Sequence, residues 1–529
     1  MRNNYLLAII VCLVLYACNS KSKRHISRDK SINGSTSFNN LFLDSTDLEK
    51  FIGKHPEFKP FEDQYQDFYK ERNYEYAWFD SSGLSEQAHN FVNLLNTTMT
   101  ELQDSSLYNK PFTDLYNSFP KDASAKEKDK LQIELYFTGQ FYAYAAKIYK
   151  GSDINAAELG WFIPRKKQTL AKLLDSTLLS KNADPNAYSP LNAQYKKLQE
   201  SLPKYFEIDK QGVWPSIASP AKPFKKKDSS ASIVQIKHDL FLLGDMATPD
   251  SSAVFDTTLF NAAKHFQRRL GLLVDGVIGS HMIEELNITP KQRIRQILVN
   301  MERARWMPPE NDTNYILVNI PEYKMHVYDS GRLAFDMNVI VGTQANSTVI
   351  FTGNLKYIVF SPYWNVPPSI VQKEVVPGIK KDKNYITKND MEITGQSKGL
   401  PLVRQKPGEK NSLGLVKFLF PNNYDIYFHD TPNRELFSAT SRSFSHGCIR
   451  LGEPKKFASY LLRSDTTNWK SRTIDSSMHL KTERWVSLKK TLPVFIVYFT
   501  AWVNKDGVLN FRKDIYGHDK KMEAKLFTQ

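Results

Sequence analysis

The stretch H-D-T-P-N-R-E-L-F-S-A-T-S-R-S-F-S-H-G-C-I-R-L, His429 to Leu451, decides how the rest of the chain is read. It holds Cys448, the only cysteine beyond residue 18, and two of the eleven histidines, His429 and His446. A thiol of ordinary pKa, about 8.5, is a weak nucleophile at neutral pH, and a neighbouring histidine activates it by taking its proton. The expected resting state is then a thiolate–imidazolium pair, with the second ring nitrogen held by an acceptor. Gly447 lets the backbone turn sharply beside the sulfur. The amides of His446, Gly447 and Cys448 are candidate oxyanion donors, and Arg450 is a candidate for holding a carboxylate or orienting the site. Local spacing ranks His429 and His446 equally as the base. A Cys/His metal site lacks the paired spacing such sites use, so no metal and no cofactor are expected.

A chain of 529 residues is too long for one core and predicts two to four domains. The formal net charge of +15 suits an acidic polymer or an anionic surface. No zinc-finger or RNA-binding signature accompanies it, so no nucleic-acid partner is expected. Arg2 precedes an apolar run from Tyr5 to Tyr16, too short to span a bilayer and laid out like a secretory signal. The following Leu15-Tyr16-Ala17-Cys18 resembles a bacterial lipobox, which implies lipidation of Cys18. A plain signal peptide or an uncleaved anchor is the other reading. Lipobox processing would remove residues 1–17, leave 18–45 as a lipidated tether, and make Cys448 the one free thiol of an exported protein.

From residue 46 to 222 the apolar spacing is helical: Leu84, Ala88, Phe91 and Leu95 on one stripe, Leu131, Leu135, Phe141, Tyr142 and Ala145 on another. Trp78 and Trp161 are read as core. Pro203 to Asp228, proline-rich with a lysine run, reads as a linker. Residues 229–289 predict three short helices broken at Gly271, Gly276 and Gly279. Helix, G-D, a helix ending A-K-H-F-Q, G-L-L-V-D-G-V-I-G and a helix ending L-N resemble the peptidoglycan-binding three-helix domain. A spacer that has lost affinity is the alternative. Beyond Asn314 the period becomes two, with Leu333, Phe335, Met337, Val339 and Val341 alternating. Lys417–Phe420 and Tyr424–Phe428 are further predicted strands. Residues 361 to about 407, with Tyr363, Trp364 and Asn365 at their start, read as a capping insertion over a cleft.

His429, a spacer, and Ser445-His446-Gly447-Cys448-Ile449-Arg450 closely resemble the L,D-transpeptidase signature. The layout resembles the large periplasmic branch of that family, which implies a multidomain α+β protein. Its parts are a helical scaffold (46–222), the peptidoglycan-binding-like unit (229–289), a β-rich catalytic domain (313–475) and a C-terminal segment (476–529) packed on the scaffold or catalytic domain. The resemblance implies Cys448 as nucleophile, His429 as the proton carrier with the Asp430 carbonyl behind it, and His446, Gly447 and Arg450 in support. Tyr363, Trp364, Asn365 and Ser445 are expected at the substrate. It further implies peptidoglycan stem peptides as substrate, a cysteinyl thioester, release of D-alanine, 3→3 cross-links, and a periplasm-facing lipoprotein held to a membrane of a Gram-negative-type bacterium by its N-terminal lipid. An L,D-carboxypeptidase and a non-enzymatic wall anchor are the alternatives.

Overall fold

A computed structural model describes residues 28–31, 41–80, 82–120, 124–164, 169–179, 191–308 and 313–527. The expected signal segment, Cys18 and most of the tether lie outside the described residues. The protein is multidomain α+β and divides into two compact units, Met1–Lys150 with Lys167–Pro190, and Gly151–Lys166 with Leu191–Gln529.

The first unit is helical, with one short hairpin, β1 (Phe79–Asp80) and β2 (Gly83–Leu84). Its centre is the helix Glu127–Ala145, buried at nearly every position from Ile133 to Ala145. Trp78 stacks on Phe137 at 5.1 Å and donates from Nε1 to Thr138 Oγ1 at 2.9 Å, so it is core. Glu134 accepts from Tyr69 Oη and the amides of Ala77 and Trp78, and burial pushes its carboxyl up to about 7.

The second unit begins inside the region expected to be scaffold. The helix Ala193–Asp209 buries Tyr195, Leu198, Leu202, Tyr205 and Ile208 and packs on the helix Pro290–Trp306. The block 46–222 is therefore not one body: this apolar stripe finds its cover in the C-terminal half. Pro203, expected to open a linker, lies inside that helix. Helices Ala231–Leu243, Thr257–Leu270 and Ser280–Leu286 follow, and the first two end at Gly244 and Gly271 with φ of 82° and 70°. Trp161 is buried against Trp306 and Phe499.

The β-rich part begins with β3 (Tyr315–Asn319), β4 (Lys324–Asp329), β5 (Arg332–Gly342) and β6 (Thr352–Phe360). An insertion carries β7 (Trp364–Asn365), β8 (Met391–Ser397) and β9 (Leu400–Gln405), joined as a separate three-stranded sheet. Val366, Val371, Val375 and Val403 give it a small core of its own. Then come β10 (Val416–Leu419), β11 (Phe428–His429), β12 (Ser443–Ser445), β13 (Ile449–Leu451) and β14 (Arg484–Val497). The main sheet runs β12-β5-β13-β11-β10-β6-β14-β3-β4, and β4 also pairs with β5, so the sheet closes on itself. The strand expected over Tyr424–Phe428 is shorter, because Asn422 and Asp425 turn the chain there, Asp425 at φ 54°.

The C-terminal segment does more than pack on the outside. β14 lies between β6 and β3, antiparallel to one and parallel to the other, with Ile496 and Val497 fully buried. After it, β15 (Ala501–Val503) pairs with β16 (Leu509–Phe511). Asn300 and Thr500, both fully buried, exchange hydrogen bonds of 2.7 and 2.9 Å. A chain ending at residue 480 leaves two central strands without their neighbour. It is expected to lose the cooperative thermal transition of this unit by circular dichroism and to be cleaved within 313–480 by limited proteolysis. Retention of a protected core would show that β14 is dispensable.

Candidate active site

Two strands of only a few residues set the site. β11 pairs with β13 in parallel, Phe428 opposite Ile449 and His429 opposite Arg450, and the Ile449 amide donates to the Tyr427 carbonyl at 3.2 Å. Continued by one step, this register brings Cys448 opposite Tyr427. Residues two apart on a strand share a face, so Tyr427, His429, Cys448 and Arg450 form a quadrilateral on one side of the sheet.

Three groups hold the turn before Cys448. Gly447 has a φ of +116°, which an L side chain rarely adopts. Ser445 Oγ accepts from the Gly447 amide at 3.1 Å and donates to the Cys448 carbonyl at 2.6 Å. Thr348 Oγ1 donates to the Gly447 carbonyl at 2.8 Å and accepts from the Gly342 amide at 2.9 Å. Behind Thr348 stands Tyr516, whose hydroxyl donates to the Gly342 carbonyl at 2.7 Å and accepts from the Thr348 amide at 3.3 Å. The C-terminal segment thus braces the cysteine turn. Two expectations change. The Gly447 amide is occupied by Ser445 and is withdrawn from the candidate oxyanion donors. Ser445, expected at the substrate, is 3 % exposed and shapes the turn instead.

His429 is 5 % exposed. Its Nδ1 lies 2.6 Å from the Asp430 carbonyl, which can only accept, so the proton sits on Nδ1 and Nε2 is left as the basic nitrogen. Burial is the main cause that pushes the imidazole down to about 3; Arg450 adds to this, and the Asp430 and Leu413 carbonyls act against it. The Asp430 carboxylate in turn fastens the segment that carries Leu413: Oδ2 accepts from the Leu415 amide at 2.9 Å, and Oδ1 from Thr431 at 2.7 Å and from Arg434.

Cys448 is half-buried, and its thiol donates to the Asp425 carbonyl at 3.5 Å. Burial raises its pKa; the Tyr427 amide and hydroxyl and the Arg450 charge pull it down, while Asp425 raises it further. The raised thiol and the lowered imidazole both disfavour charge on the two groups at rest. Burial acts against the expected thiolate–imidazolium pair, because both charged forms lose solvent there. No hydrogen bond joins Cys448 to either histidine, so proton transfer requires the thiol to leave Asp425. His446 is exposed. His429 faces the shared side of the sheet from the strand beside Cys448.

Arg450 is half-buried, its Nε has no partner, and burial lowers its pKa. The insertion residues divide. Trp364 packs on the Val366–Val403 core, Tyr363 lies under the Arg404 guanidinium at 4.0 Å, and Asn365 is exposed. Trp364 is thus accounted for by packing. The residues missed from sequence are Tyr427, the Asp430 carboxylate, Thr348 and Lys417. The last is opposite His429 in the β10–β11 pairing. That pairing was open to inference, because the two strands flank a single Pro-Asn-Asn-Tyr-Asp turn.

Two outcomes follow from this geometry. Gly447→Ala forces a side chain into a strained φ and is expected to cost about 1–3 kcal/mol, read from a urea unfolding midpoint. The second concerns pH. Unfolded His429 takes up a proton near 6.5 and the folded residue only near 3, so the unfolded state binds more protons between those values. This contribution to stability is complete above about pH 6.5 and is lost as pH falls toward 3. The unfolding free energy of wild type should therefore fall more steeply with acid than that of His429→Asn over this window; parallel curves would remove the assignment.

Comparison with known proteins agrees with the site. Residues 313–480 match the YkuD L,D-transpeptidase catalytic domain, and residues 63–202 match the family model called Scaffold domain. A curated L,D-transpeptidase homologue of Haemophilus influenzae is 32 % identical over 255 residues, 45 % of this chain and 50 % of that protein. The chain thus spans about half the length of the curated relative it matches. Among solved structures, the L,D-transpeptidase of Stackebrandtia nassauensis aligns over 53 % of this chain and 97 % of its own, with 15 % identity and a TM-score of 0.21. That of Xylanimonas cellulosilytica aligns over 53 % and 100 %, with 14 % identity and a TM-score of 0.18. Scores this low carry no argument about the fold, and the assignment rests on the sequence matches. Residues 313–480 are thus similar to the L,D-transpeptidase catalytic domain of the YkuD type.

Proposed function

We propose that this protein is a peptidoglycan L,D-transpeptidase that works through a thioester on Cys448. The observation that carries the reading is a half-buried thiol one strand from a buried histidine whose Nδ1 is fixed by the Asp430 carbonyl, inside the matched catalytic domain. In the first half-reaction Sγ attacks the carbonyl of the third residue of a stem tetrapeptide, and His429 Nε2 takes the thiol proton. The C–S bond forms, the amide C–N bond breaks, and His429 returns the proton to the amine of the departing D-alanine. In the second, the side-chain amine of a diaminopimelate on another stem attacks the thioester and gives a proton to His429. A 3→3 amide forms and the thiol is restored by that proton. A histidine neutral on Nε2 is in the form that can accept the thiol proton. The Cys448 amide, with that of His446, supplies the remaining oxyanion donors, and Arg450 orients the site.

The reading extends to the compartment. The apolar run Tyr5–Tyr16 and Leu15–Cys18 support an exported lipoprotein, anchored by lipid on Cys18 and facing the periplasm of a Gram-negative-type bacterium. Residues 229–289 would hold it to the wall polymer. Purified protein incubated with tetrapeptide muropeptides is expected to yield 3→3 dimers and free D-alanine by mass spectrometry. Cys448→Ala should yield neither, and wild type should show a mass increase for a trapped acyl-enzyme. Trimmed tripeptides in place of dimers would make it an L,D-carboxypeptidase. Equal products from wild type and Cys448→Ala would sink the thioester mechanism.

A further inference from the structure

His429 lies on a transverse row of the closed sheet. By strand register, Trp485 on β14, Val359 on β6, Lys417 on β10, His429 on β11, Arg450 on β13 and Ile340 on β5 are successive partners. Directly paired residues share a face of a sheet. Two cations therefore flank the histidine, one on each neighbouring strand. Arg450 belongs to the signature stretch; Lys417 does not.

Lys417 is half-buried, and neither a hydrogen bond nor an ion pair to its ammonium occurs among the described residues. Burial lowers its pKa, and Glu483 is the one acidic group that pulls it back. Glu483 is engaged elsewhere: Oε1 accepts from Trp485 Nε1 at 2.9 Å and Oε2 from the Tyr363 amide at 3.4 Å. The ammonium instead lies 5.7 Å from the centre of the Trp485 ring, an indole that is 53 % exposed. A half-buried ammonium without a carboxylate is costly in a folded protein. Its place beside the basic histidine makes sense if an anion arrives with the substrate.

We propose that Lys417 is a substrate-anchoring residue that binds a carboxylate of the acidic stem peptide on the side of His429 away from Arg450. Neighbouring strands lie about 4.8 Å apart, so the two cations stand roughly 10 Å from each other across the sheet. A stem peptide with carboxylates on separate residues, each rising about 3.3 Å when extended, can meet both. The inference rests on the stem-peptide reading and adds to it the residue that positions the donor strand over the thiol.

The experiment uses a synthetic stem tetrapeptide and the full chain carrying Cys448→Ala, with binding measured by calorimetry. Adding Lys417→Met should weaken binding about tenfold or more, as expected for loss of a hydrogen bond to a charged group, and Lys417→Arg should restore most of it. Peptides with one carboxylate converted to amide complete the cycle: one amide should weaken binding to the parent and leave Lys417→Met no weaker than before. With Cys448 present, Lys417→Met should act on KM far more than on kcat, and its rate of alkylation by iodoacetamide should match wild type, which shows an intact site. If the parent binds the tetrapeptide and Lys417→Met binds it equally, the anchor is overturned while the stem-peptide reading stands. If the parent does not bind and wild type makes neither dimer nor trimmed product, the stem-peptide reading falls and the anchor with it.

Discussion

The pairing of two short strands, β11 with β13, is the constraint on which the site depends. It brings a buried imidazole and a half-buried guanidinium side by side, with the thiol two residues before the guanidinium at the entry to β13. Neither strand is long enough to hold its register alone. β11 is held on its other side by β10, and β13 by β5, both antiparallel. Those neighbours belong to a closed sheet, which has no free edge along which the register can slip. The closure needs β14, contributed by residues beyond the matched domain, and the cysteine turn needs Tyr516 behind Thr348. The catalytic geometry is therefore a property of the second unit as a whole.

Burial then sets the charge states. Burial beside an arginine lowers the histidine's pKa, and burial raises the thiol's. The two shifts have one cause and act in the same direction, against charge separation at rest. A thiolate is open to oxidation, and a protonated thiol is far less so. The Tyr427 amide and hydroxyl and the Arg450 charge meanwhile favour the sulfur anion once it forms. The site resists ionisation before attack and supports it during attack.

Much of this was legible in the sequence, for identifiable reasons. The chemistry of Cys448, His429 and Gly447 rests on residue types and local backbone, which a sequence displays. The helices Glu86–Leu102 and Glu127–Ala145 and the strand β5 follow from periodicity. What failed depends on contacts between distant segments. Pro203 was read as a linker residue because its helix is specified by a partner nearly a hundred residues later. Trp364 was read as a ligand contact because nothing local announces the small valine core it covers. Ser445 was read the same way, since only the fold reveals that its hydroxyl is committed at both ends. The shifts that act against a resting ion pair were hidden for a different reason: a motif names the groups but not the solvent they have lost.

The same loss of solvent leaves the sheet's transverse row with an imbalance. Most buried or half-buried charges in the second unit are matched: Arg269 with Asp245, Arg293 with Glu285, Arg303 with Asp519, Arg305 with Glu302. These pairs brace helices and have no chemical work to do. Arg450 and Lys417 depart from that habit on the two strands that flank His429. Arg442, Arg512 and Lys204 also lack a carboxylate but donate to backbone carbonyls, whereas the two cations around His429 bear their desolvation cost without such partners. The cost is recovered when a ligand supplies the missing negative charge, and the binding free energy released there can be used to draw the thiol from the Asp425 carbonyl toward the substrate.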